Sequence, residues 1–291
     1  MCAQIIDRLA DVAPNYDVLF CDVWGVVHNG IAPFAAAVDA LQAFRANGGR
    51  VVLLTNAPRP RVDIERQLDS LGVPRDAWDA VATSGDATRV ALFSGIIGTK
   101  VYFMGEPRDL SVLDPLRLLD DPLSIEITDL EAATGILCAG PEDPRADPDT
   151  WRAVLLSAKA RGLTLLCLNP DLVVDRGESR EYCAGSVAKM YEEMGGDALY
   201  FGKPHPPIYD LARRRLAALE VTTSDERILC IGDGLLTDLP GAMGEGLDCL
   251  FVTGGLAAEE TRTDRDPDRK ALDAILAQHQ TTATFAIGQL R

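Results

Sequence analysis

The chain has 291 residues, enough for about two domains, and 47 % of them are hydrophobic, 25 % charged and 6 % aromatic. This composition is typical of a globular protein with a core and argues against a disordered tail, a collagen-like repeat or a membrane span. Asp and Glu outnumber Lys and Arg by 44 to 28, giving a net charge of −16. That charge argues against nucleic-acid and membrane partners, but it permits a small anionic ligand at a locally positive site.

Short apolar runs alternate with amphipathic helical patterns, which is typical of βαβ units and a mainly parallel sheet. In the first helical pattern Val38, Leu41 and Phe44 recur every three residues and form one apolar stripe that must pack on a sheet. The predicted fold class is therefore α/β, with a doubly wound, Rossmann-like parallel sheet. The predicted strands are 18–21, 51–54, 101–104, 136–138, 164–168, 228–231 and 249–252, and later helical stripes are Ile64, Leu68 and Leu71, then Ile208, Leu211, Leu216 and Leu219.

The seven cysteines are an odd number without C-x-x-C spacing. Five of them lie inside apolar runs, so we expect buried, reduced thiols and no zinc site. The first residues also lack the basic-then-apolar pattern of a signal peptide. Both observations predict a cytoplasmic protein. The five are Cys21, Cys138, Cys167, Cys230 and Cys249.

Three of the predicted strands end in polar residues. Asp22 follows the first, Thr55 and Asn56 follow the second, and Asp233 follows strand 228–231. Parallel α/β sheets hold ligands just beyond the carboxyl ends of their strands. These polar residues, although about 200 positions apart, are therefore expected to meet in one crevice.

The polar-ended strands fall near residues 18–56 and 203–238, and the segment between them has its own strand and helix pattern. Polar, glycine-containing stretches at 83–87 and 175–179 border that segment. We therefore predict a core domain made of residues 1–84 and 181–291, with a smaller α/β domain, residues 85–180, inserted into it.

Asp22, Asp233 and Asp238 are candidate metal ligands. Carboxylates that converge at strand ends repel one another unless a cation lies among them, and oxygen ligands without nearby Cys or His favour Mg²⁺. An alternative for Asp233 and Asp238 alone is a helix N-cap and a solvated acid.

Two further positions predict phosphate chemistry. The Thr55 hydroxyl and the free backbone N–H groups at Thr55 and Asn56 can bind phosphate oxygens, although such residues also cap helices. Lys203 stands in the turn FGKPHPP, where a cation held near carboxylates can neutralise a phosphoryl group.

Asp22, Thr55, Lys203 and the stretch GDGLLTD around Asp233, in this order, resemble the motifs of the haloacid dehalogenase-like hydrolase superfamily. The stretch DVWGVVHNG resembles the D-x-D-G-V-x-x-x-G start of its class IIA subgroup, which has a large α/β (C2-type) cap and includes sugar phosphatases and nitrophenylphosphatases. TSGDAT at 83–88 resembles the entry to that cap, and LNPDLVV at 168–174 resembles its substrate-specificity loop.

The resemblance implies a Mg²⁺-dependent phosphohydrolase that acts on a small phosphorylated metabolite, sugar-phosphate-like or nucleotide-like, through an aspartyl phosphate on Asp22. It implies that Thr55 orients the phosphoryl group and that Lys203 stabilises its charge. Caps of this type often form dimers, so a homodimer is a further expectation. The implied metal ligands are the carboxylates of Asp22 and Asp233 and the backbone carbonyl of Trp24, with Asp238 in support; Asn56, Asn169 and Asp171 are the candidate substrate-binding residues.

Trp24 departs from the family pattern, because phosphatases of this family carry an acid–base Asp two residues after the nucleophile. The indole cannot exchange a proton at neutral pH, so we expect slow turnover unless His28 or His205 substitutes as the acid. Two alternatives remain open. Dehalogenases of this superfamily have a bulky aromatic residue at this position and need no metal, and a catalytically weak phosphometabolite-binding protein would need no acid at all.

Overall fold

The computed structural model describes residues 3–114 and 121–291, which form two parallel sheets with helices on their faces. The strands are β1 (Gln4–Ile5), β2 (Val18–Cys21), β3 (Arg50–Thr55), β4 (Ala80–Thr83), β5 (Lys100–Met104), β6 (Glu126–Ile127), β7 (Gly135–Cys138), β8 (Thr164–Cys167), β9 (Val173–Arg176), β10 (Ser179–Tyr182), β11 (Asp197–Tyr200), β12 (Ile228–Gly232), β13 (Asp248–Val252) and β14 (Phe285–Ile287). The helices are α1 (Ala35–Ala46), α2 (Arg61–Leu71), α3 (Ser84–Phe93), α4 (Arg152–Ala160), α5 (Ala184–Glu193), α6 (Pro206–Ala218), α7 (Asp238–Glu245) and α8 (Arg269–Gln278).

The larger sheet has seven strands in the order β1-β14-β13-β12-β2-β3-β4, and all of its pairings are parallel. From β2 the chain proceeds outward to β3 and β4, and from β12 it proceeds the other way to β13 and β14. The direction of winding therefore reverses between the neighbours β2 and β12. In doubly wound sheets a crevice opens beyond the carboxyl ends of the strands at this switch point.

Both faces of this sheet are covered by helices. Leu19 of β2 packs in one cluster with residues of α1 and α2, while its neighbour Phe20 packs in a second cluster with residues of α6, α7 and α8. Successive side chains of a strand point to opposite faces, so a strand covered on both sides reads as a continuous apolar run. The predicted α/β fold with a doubly wound core is confirmed.

The second sheet has five parallel strands in the order β11-β8-β7-β5-β6, and β9 and β10 form a separate antiparallel hairpin. The division into domains stays a prediction. The five-stranded sheet, however, extends beyond the predicted C-terminal end of the inserted domain. β11 lies after residue 180 and pairs with β8. The glycine-containing stretch 175–179, taken as a domain border, instead includes the turn of the hairpin, where Gly177 has φ +60°.

All seven predicted strands are present, with ends that differ by a residue or two. The strands that the sequence analysis did not predict are mostly short; β4, with the sequence AVAT, lacks an extended run of large apolar residues. Leu219, predicted on the apolar face of α6, is 44 % exposed because the helix ends at Ala218.

The predicted burial of the cysteines is also confirmed. Cys21, Cys138, Cys167, Cys230 and Cys249 are buried and free, as is Cys183, while Cys2 lies outside the described residues. In the part of the chain that the structure describes, no helix combines the length and the apolarity that crossing a membrane requires.

Leu68 of α2 is fully buried in the cluster beneath the seven-stranded sheet. We expect Leu68→Ala to lower the free energy of unfolding by about 2–5 kcal/mol, because it removes apolar contacts and leaves a cavity. Val62→Ala in the same helix is the control, since Val62 is 45 % exposed and such surface changes stay within about 0.5 kcal/mol. Urea denaturation measures both, and equal effects would contradict the packing of α2.

Candidate active site and metal centre

Polar residues from three adjacent strands meet at the switch point. Asp22 follows β2 directly, Asp233 follows β12, and Thr55 is the last residue of β3. The Asp22 N–H donates to the carbonyl of Ile231, 2.8 Å away, which continues the β2–β12 pairing into the first residue of the loop. The structure therefore brings together the residues that the sequence analysis expected in one crevice.

Lys203 connects two of the carboxylates. Its Nζ donates to Asp22 Oδ1 at 2.5 Å and to Asp238 Oδ1 at 2.8 Å, and the side chain is 2 % exposed. Burial by itself disfavours the charged ammonium, but the neighbouring carboxylates outweigh that effect and raise the pKa of Lys203 above its usual value. Lys203 is therefore a fixed positive charge inside the site.

Asn56 holds the backbone of Lys203 in place. Its Oδ1 accepts from the Lys203 N–H at 2.7 Å, and its Nδ2 donates to the Lys203 carbonyl at 3.1 Å. The same Nδ2 also donates to Asp171 Oδ1 at 2.8 Å. The Asn56 amide, predicted to bind substrate, is thus engaged with protein groups and positions the lysine.

Asp22, Asp233 and Asp238 form the acidic cluster. Each offers an oxygen within 4.8 Å of those of the other two, and all three residues are buried. If the three carboxylates are ionised, the Lys203 ammonium neutralises one of their negative charges. The remaining two are the charge that one divalent cation would neutralise. Burial raises the pKa of Asp22 well above its usual value and that of Asp233 to about 7, and neighbouring carboxylates add to both shifts.

The backbone also approaches this cluster closely. A Cβ at Gly25 or Gly255 would lie 2.2 or 2.0 Å from Asp233 Oδ2, so only glycine fits at either position; Gly25 also has φ +85°. The Leu256 N–H donates to the same oxygen at 3.2 Å. Within the described residues no donor bonds to the carbonyl oxygen of Trp24, which leaves it free for a ligand. The donor set, all hard oxygens around uncompensated negative charge, fits Mg²⁺.

The sequence analysis missed the contribution of the loop after β13. Gly255 and the N–H of Leu256 come from this loop and touch Asp233. The available signal was the Thr-Gly-Gly that follows the strand predicted at 249–252, because this strand also ends at the same edge of a parallel sheet.

The strand-end cavity lies over the cluster. It has a volume of about 180 Å³, and its lining includes Asp22, Thr55, Lys203, Asp233 and Asp171. The Thr55 hydroxyl accepts from the Ala57 N–H at 3.2 Å, so its own proton is free to be donated. A phosphoryl group in this cavity would meet a hydroxyl and an ammonium beside Asp22.

The loop that connects β8 of the five-stranded sheet to β9 brings two polar residues to the cavity. Asn169 Oδ1 accepts from the Asp171 N–H at 3.0 Å, which shapes the turn, and Asp171 bonds to Asn56 as described above. Asp171 lines the strand-end cavity, whereas Asn169 lines an adjoining side cavity of about 100 Å³. Burial raises the pKa of Asp171.

Comparisons with known proteins identify the family. The Haloacid dehalogenase-like hydrolase profile matches residues 19–117, and a HAD-hydrolase-like profile matches residues 200–285. The crystal structure of a haloacid dehalogenase-like family hydrolase from Brucella suis is 37 % identical to the chain, covers 99 % of it and 100 % of its own length, and superposes with a TM-score of 0.86. The chain belongs to the haloacid dehalogenase-like hydrolase family.

Two curated proteins are more distant relatives of this hydrolase. D-glycerol 3-phosphate phosphatase from Mycobacterium tuberculosis is 24 % identical over 90 % of the chain and 70 % of its own length. Ribonucleotide monophosphatase NagD from Escherichia coli is 23 % identical over 82 % of the chain and 88 % of its own length. These similarities confirm the resemblance found in the sequence, and they fit the class IIA subgroup.

Trp24 points its side chain at the hairpin of β9 and β10. The indole Nε1 donates to the Asp175 carbonyl at 2.8 Å, and the Arg176 guanidinium lies 4.8 Å from the ring centroid. The Gly177 N–H reaches back to the carbonyl of Asn29 at 3.3 Å. Trp24, at the position where the family resemblance led us to expect an acid, joins the hairpin to the core.

Both predicted substitute acids, His28 and His205, have pKa values below the usual value for histidine. His28 accepts at Nδ1 from the Gly30 N–H at 2.9 Å, and burial together with nearby Arg176 lowers its pKa to about 4. It is therefore neutral at pH 7. His205 stacks on Tyr200 at a centroid distance of 5.2 Å and lines a larger groove that also reaches Asp233, and burial lowers the pKa of His205.

Mg²⁺ is expected to stabilise the hydrolase more at about pH 8 than at about pH 5. The pKa of Asp233 is about 7 in the folded protein and about 3.9 in an unfolded chain. Between the two pKa values, Asp233 is therefore protonated in the metal-free folded state but ionised in the unfolded chain. The free energy of unfolding falls as the pH rises through this range. At the lower pH the proton blocks the ligand, whereas at the higher pH a divalent cation relieves the repulsion.

The midpoint of thermal unfolding with Mg²⁺ and with EDTA, at both pH values, measures this difference. Asp233→Asn removes the titrating ligand and should remove most of the pH dependence of the Mg²⁺ effect. An equal Mg²⁺ shift at the two pH values in the unmodified protein would contradict the proposed ligand role of the carboxylate.

Proposed function

We propose that this hydrolase is a Mg²⁺-dependent phosphatase that cleaves phosphate monoesters of small metabolites through an aspartyl phosphate on Asp22. The observation that carries the proposal is the buried contact of Lys203 with Asp22 and Asp238 beside Asp233. The two curated relatives, a glycerol 3-phosphate phosphatase and a ribonucleotide monophosphatase, support the same reaction class.

In the first step a carboxylate oxygen of Asp22 attacks phosphorus and forms an acyl phosphate. The ester P–O bond breaks, and its electron pair leaves on the alcohol oxygen, which takes a proton from water. In the second step water attacks phosphorus, the bond to Asp22 breaks, and phosphate and the carboxylate are released. Thr55 donates its hydroxyl to a phosphoryl oxygen, and Lys203 balances the charge of the transferred group.

Burial disfavours the ionised form of Asp22, which is the form needed for attack. Lys203 offsets this in part, and the remaining negative charge of the cluster calls for a second cation. Asp22, Asp233 and the Trp24 carbonyl would hold Mg²⁺, with Asp238 in support. When bound, Mg²⁺ supplies charge neutralisation for the phosphoryl oxygens and the nucleophile.

The substrate is proposed to be small, because the hairpin lies against Trp24 beside a cavity of only about 180 Å³. Asp171, in the loop before β9, lines that cavity, and Asn169 of the same loop lines the side cavity. Both residues are proposed to contact the leaving group. Since Trp24 offers no exchangeable proton, substrates with acidic leaving groups should react fastest.

Hydrolysis of p-nitrophenyl phosphate is expected to require Mg²⁺ and Asp22. Asp22→Asn should lower kcat by about 10³-fold or more, because loss of a nucleophile removes the covalent route. Asp39→Asn, an exposed residue of α1, is the matched control and should keep the activity. Full activity in EDTA, or halide release from a 2-haloacid without Mg²⁺, would favour the dehalogenase chemistry instead.

Trp24→Asp is expected to raise kcat on alkyl phosphates relative to p-nitrophenyl phosphate, because an acid that protonates the leaving oxygen contributes ~10²- to 10⁴-fold. Trp24→Asn is the control, since it also removes the indole contacts with the hairpin but adds no carboxyl group that could donate a proton. The ratio of the two rates in each variant is the measurement. An equal ratio in both variants would show that protonation does not limit the reaction.

A further inference from the structure

Three arginines from separate segments line the side cavity beside Trp24, and we name them the arginine wall. Arg59 lies between β3 and α2, Arg108 follows β5, and Arg176 ends β9. The side cavity is also lined by four carboxylates, those of Glu106, Asp109, Asp171 and Glu181. The three arginines also line the mouth, an outer opening of about 570 Å³, in which Arg66 is a fourth basic residue and Asp63 is the acidic one. Among its described lining residues the mouth has an excess of positive charge.

This local excess contrasts with a chain whose net charge is −16. Burial lowers the pKa of Arg59; Asp109 and Asp63 oppose that shift, whereas Arg108 and Arg176 add to it. A larger groove of about 1100 Å³, on the side of His205, has no comparable excess. Its charged lining residues are Lys189, Arg262 and Lys270 against Asp171, Glu192, Asp233, Glu260 and Asp268.

Acidic neighbours hold the arginine wall in place without using all of its donors. Arg176 Nε donates to Glu181 at 3.0 Å, and no hydrogen bond from its Nη atoms is found in the described part of the chain. Arg59 Nε lies 3.7 Å from Asp109 Oδ1, and Arg59 Nη2 donates to Gln67 Oε1 at 2.7 Å. Arg108 is paired with Glu106. A guanidinium group carries five N–H donors, so each of these arginines has donors left for a ligand.

The arginine wall is continuous with the site of phosphoryl transfer. Trp24, Thr55 and Asp171 line both the strand-end cavity and the side cavity that contains the three arginines. Arg176 itself stacks over the Trp24 ring. A molecule whose phosphoryl group lies beside Asp22 therefore has its leaving group directed past Trp24 toward these cations.

We propose that the arginine wall binds a second anionic group, a carboxylate or a second phosphate, on the leaving-group side of the substrate. This inference rests on the phosphatase function proposed above. Guanidinium groups match carboxylate and phosphate oxygens in paired hydrogen bonds, and filling the site with an anion relieves the repulsion among Arg59, Arg108 and Arg176. A neutral sugar leaving group would offer hydroxyl acceptors to these donors but no negative charge.

Two matched pairs of substrates test the proposal. 3-Phosphoglycerate and glycerol 3-phosphate differ in a terminal carboxylate, and fructose 1,6-bisphosphate and fructose 6-phosphate differ in a second phosphate. We expect a higher kcat/KM for the more anionic member of at least one pair. The pair that responds shows whether the anion is a carboxylate or a phosphate.

Arg176→Gln and Arg59→Gln should each lower that preference by ~10- to 100-fold, mainly through KM, because a charge-assisted hydrogen bond to the anion is lost. Arg176→Lys retains the charge and should keep part of the preference. Arg152 lies in α4 and is paired with Asp149 at the surface, away from these cavities. Arg152→Gln makes the same charge change there and should leave the substrate preference unchanged. Thermal unfolding midpoints establish that each variant is folded.

A binding measurement separates this proposal from the phosphatase function. Calorimetric titration of the Asp22→Asn protein with Mg²⁺ and each ligand reports affinity without turnover. If the unmodified protein does not hydrolyse p-nitrophenyl phosphate, the phosphatase function fails, while the affinities still decide on the arginine wall. Equal rates and affinities within both pairs of ligands would overturn the proposal that the arginine wall binds an anion. A preference for the more anionic ligand that survives in Arg176→Gln and Arg59→Gln would also overturn it.

Discussion

The ammonium of Lys203 lies between the carboxylates of Asp22 and Asp238, and all three side chains are almost completely buried. Removing such ions from water costs several kcal/mol each unless partners of opposite charge and further hydrogen bonds compensate. This constraint explains the surroundings of the lysine. Asn56 fixes its backbone through two hydrogen bonds, and the acidic cluster keeps enough negative charge to hold a divalent cation as well. The proposed nucleophile, its counter-charge and the proposed metal ligands therefore form one electrostatic unit.

The hairpin of β9 and β10 connects this unit to substrate selection. Trp24, which stands where phosphatases of the family carry an acid, donates its indole N–H to Asp175 and lies under Arg176. This side chain thus anchors the segment that supplies a cation to the side cavity, at a position where the family resemblance led us to expect a proton donor. An acidic chain that concentrates guanidinium groups at this opening can attract an anionic substrate there while its remaining surface repels other polyanions.

Much of the fold was predictable because burial on both faces leaves a plain signal in sequence. The strands with long apolar runs were found within a residue or two, and the polar residues after them indicated the crevice. β4 and β11 were missed because short or alanine-rich strands owe their place to neighbouring strands rather than to their own residues. The stretch 175–179 was predicted to be a domain border, but it includes the turn of a hairpin. A turn inside a hairpin and a domain border have the same local composition.

By itself the sequence determined the α/β class, the order of the motifs and the chemistry available at Asp22, Thr55, Lys203 and Asp233. These follow from local periodicity and residue type. Only the tertiary structure decided that β12 pairs with β2, that the amide of Asn56 serves Lys203, and that the Trp24 indole faces the hairpin. Such contacts join residues more than a hundred positions apart, and their geometry depends on how the strands pair and how the two sheets pack, which no local pattern encodes.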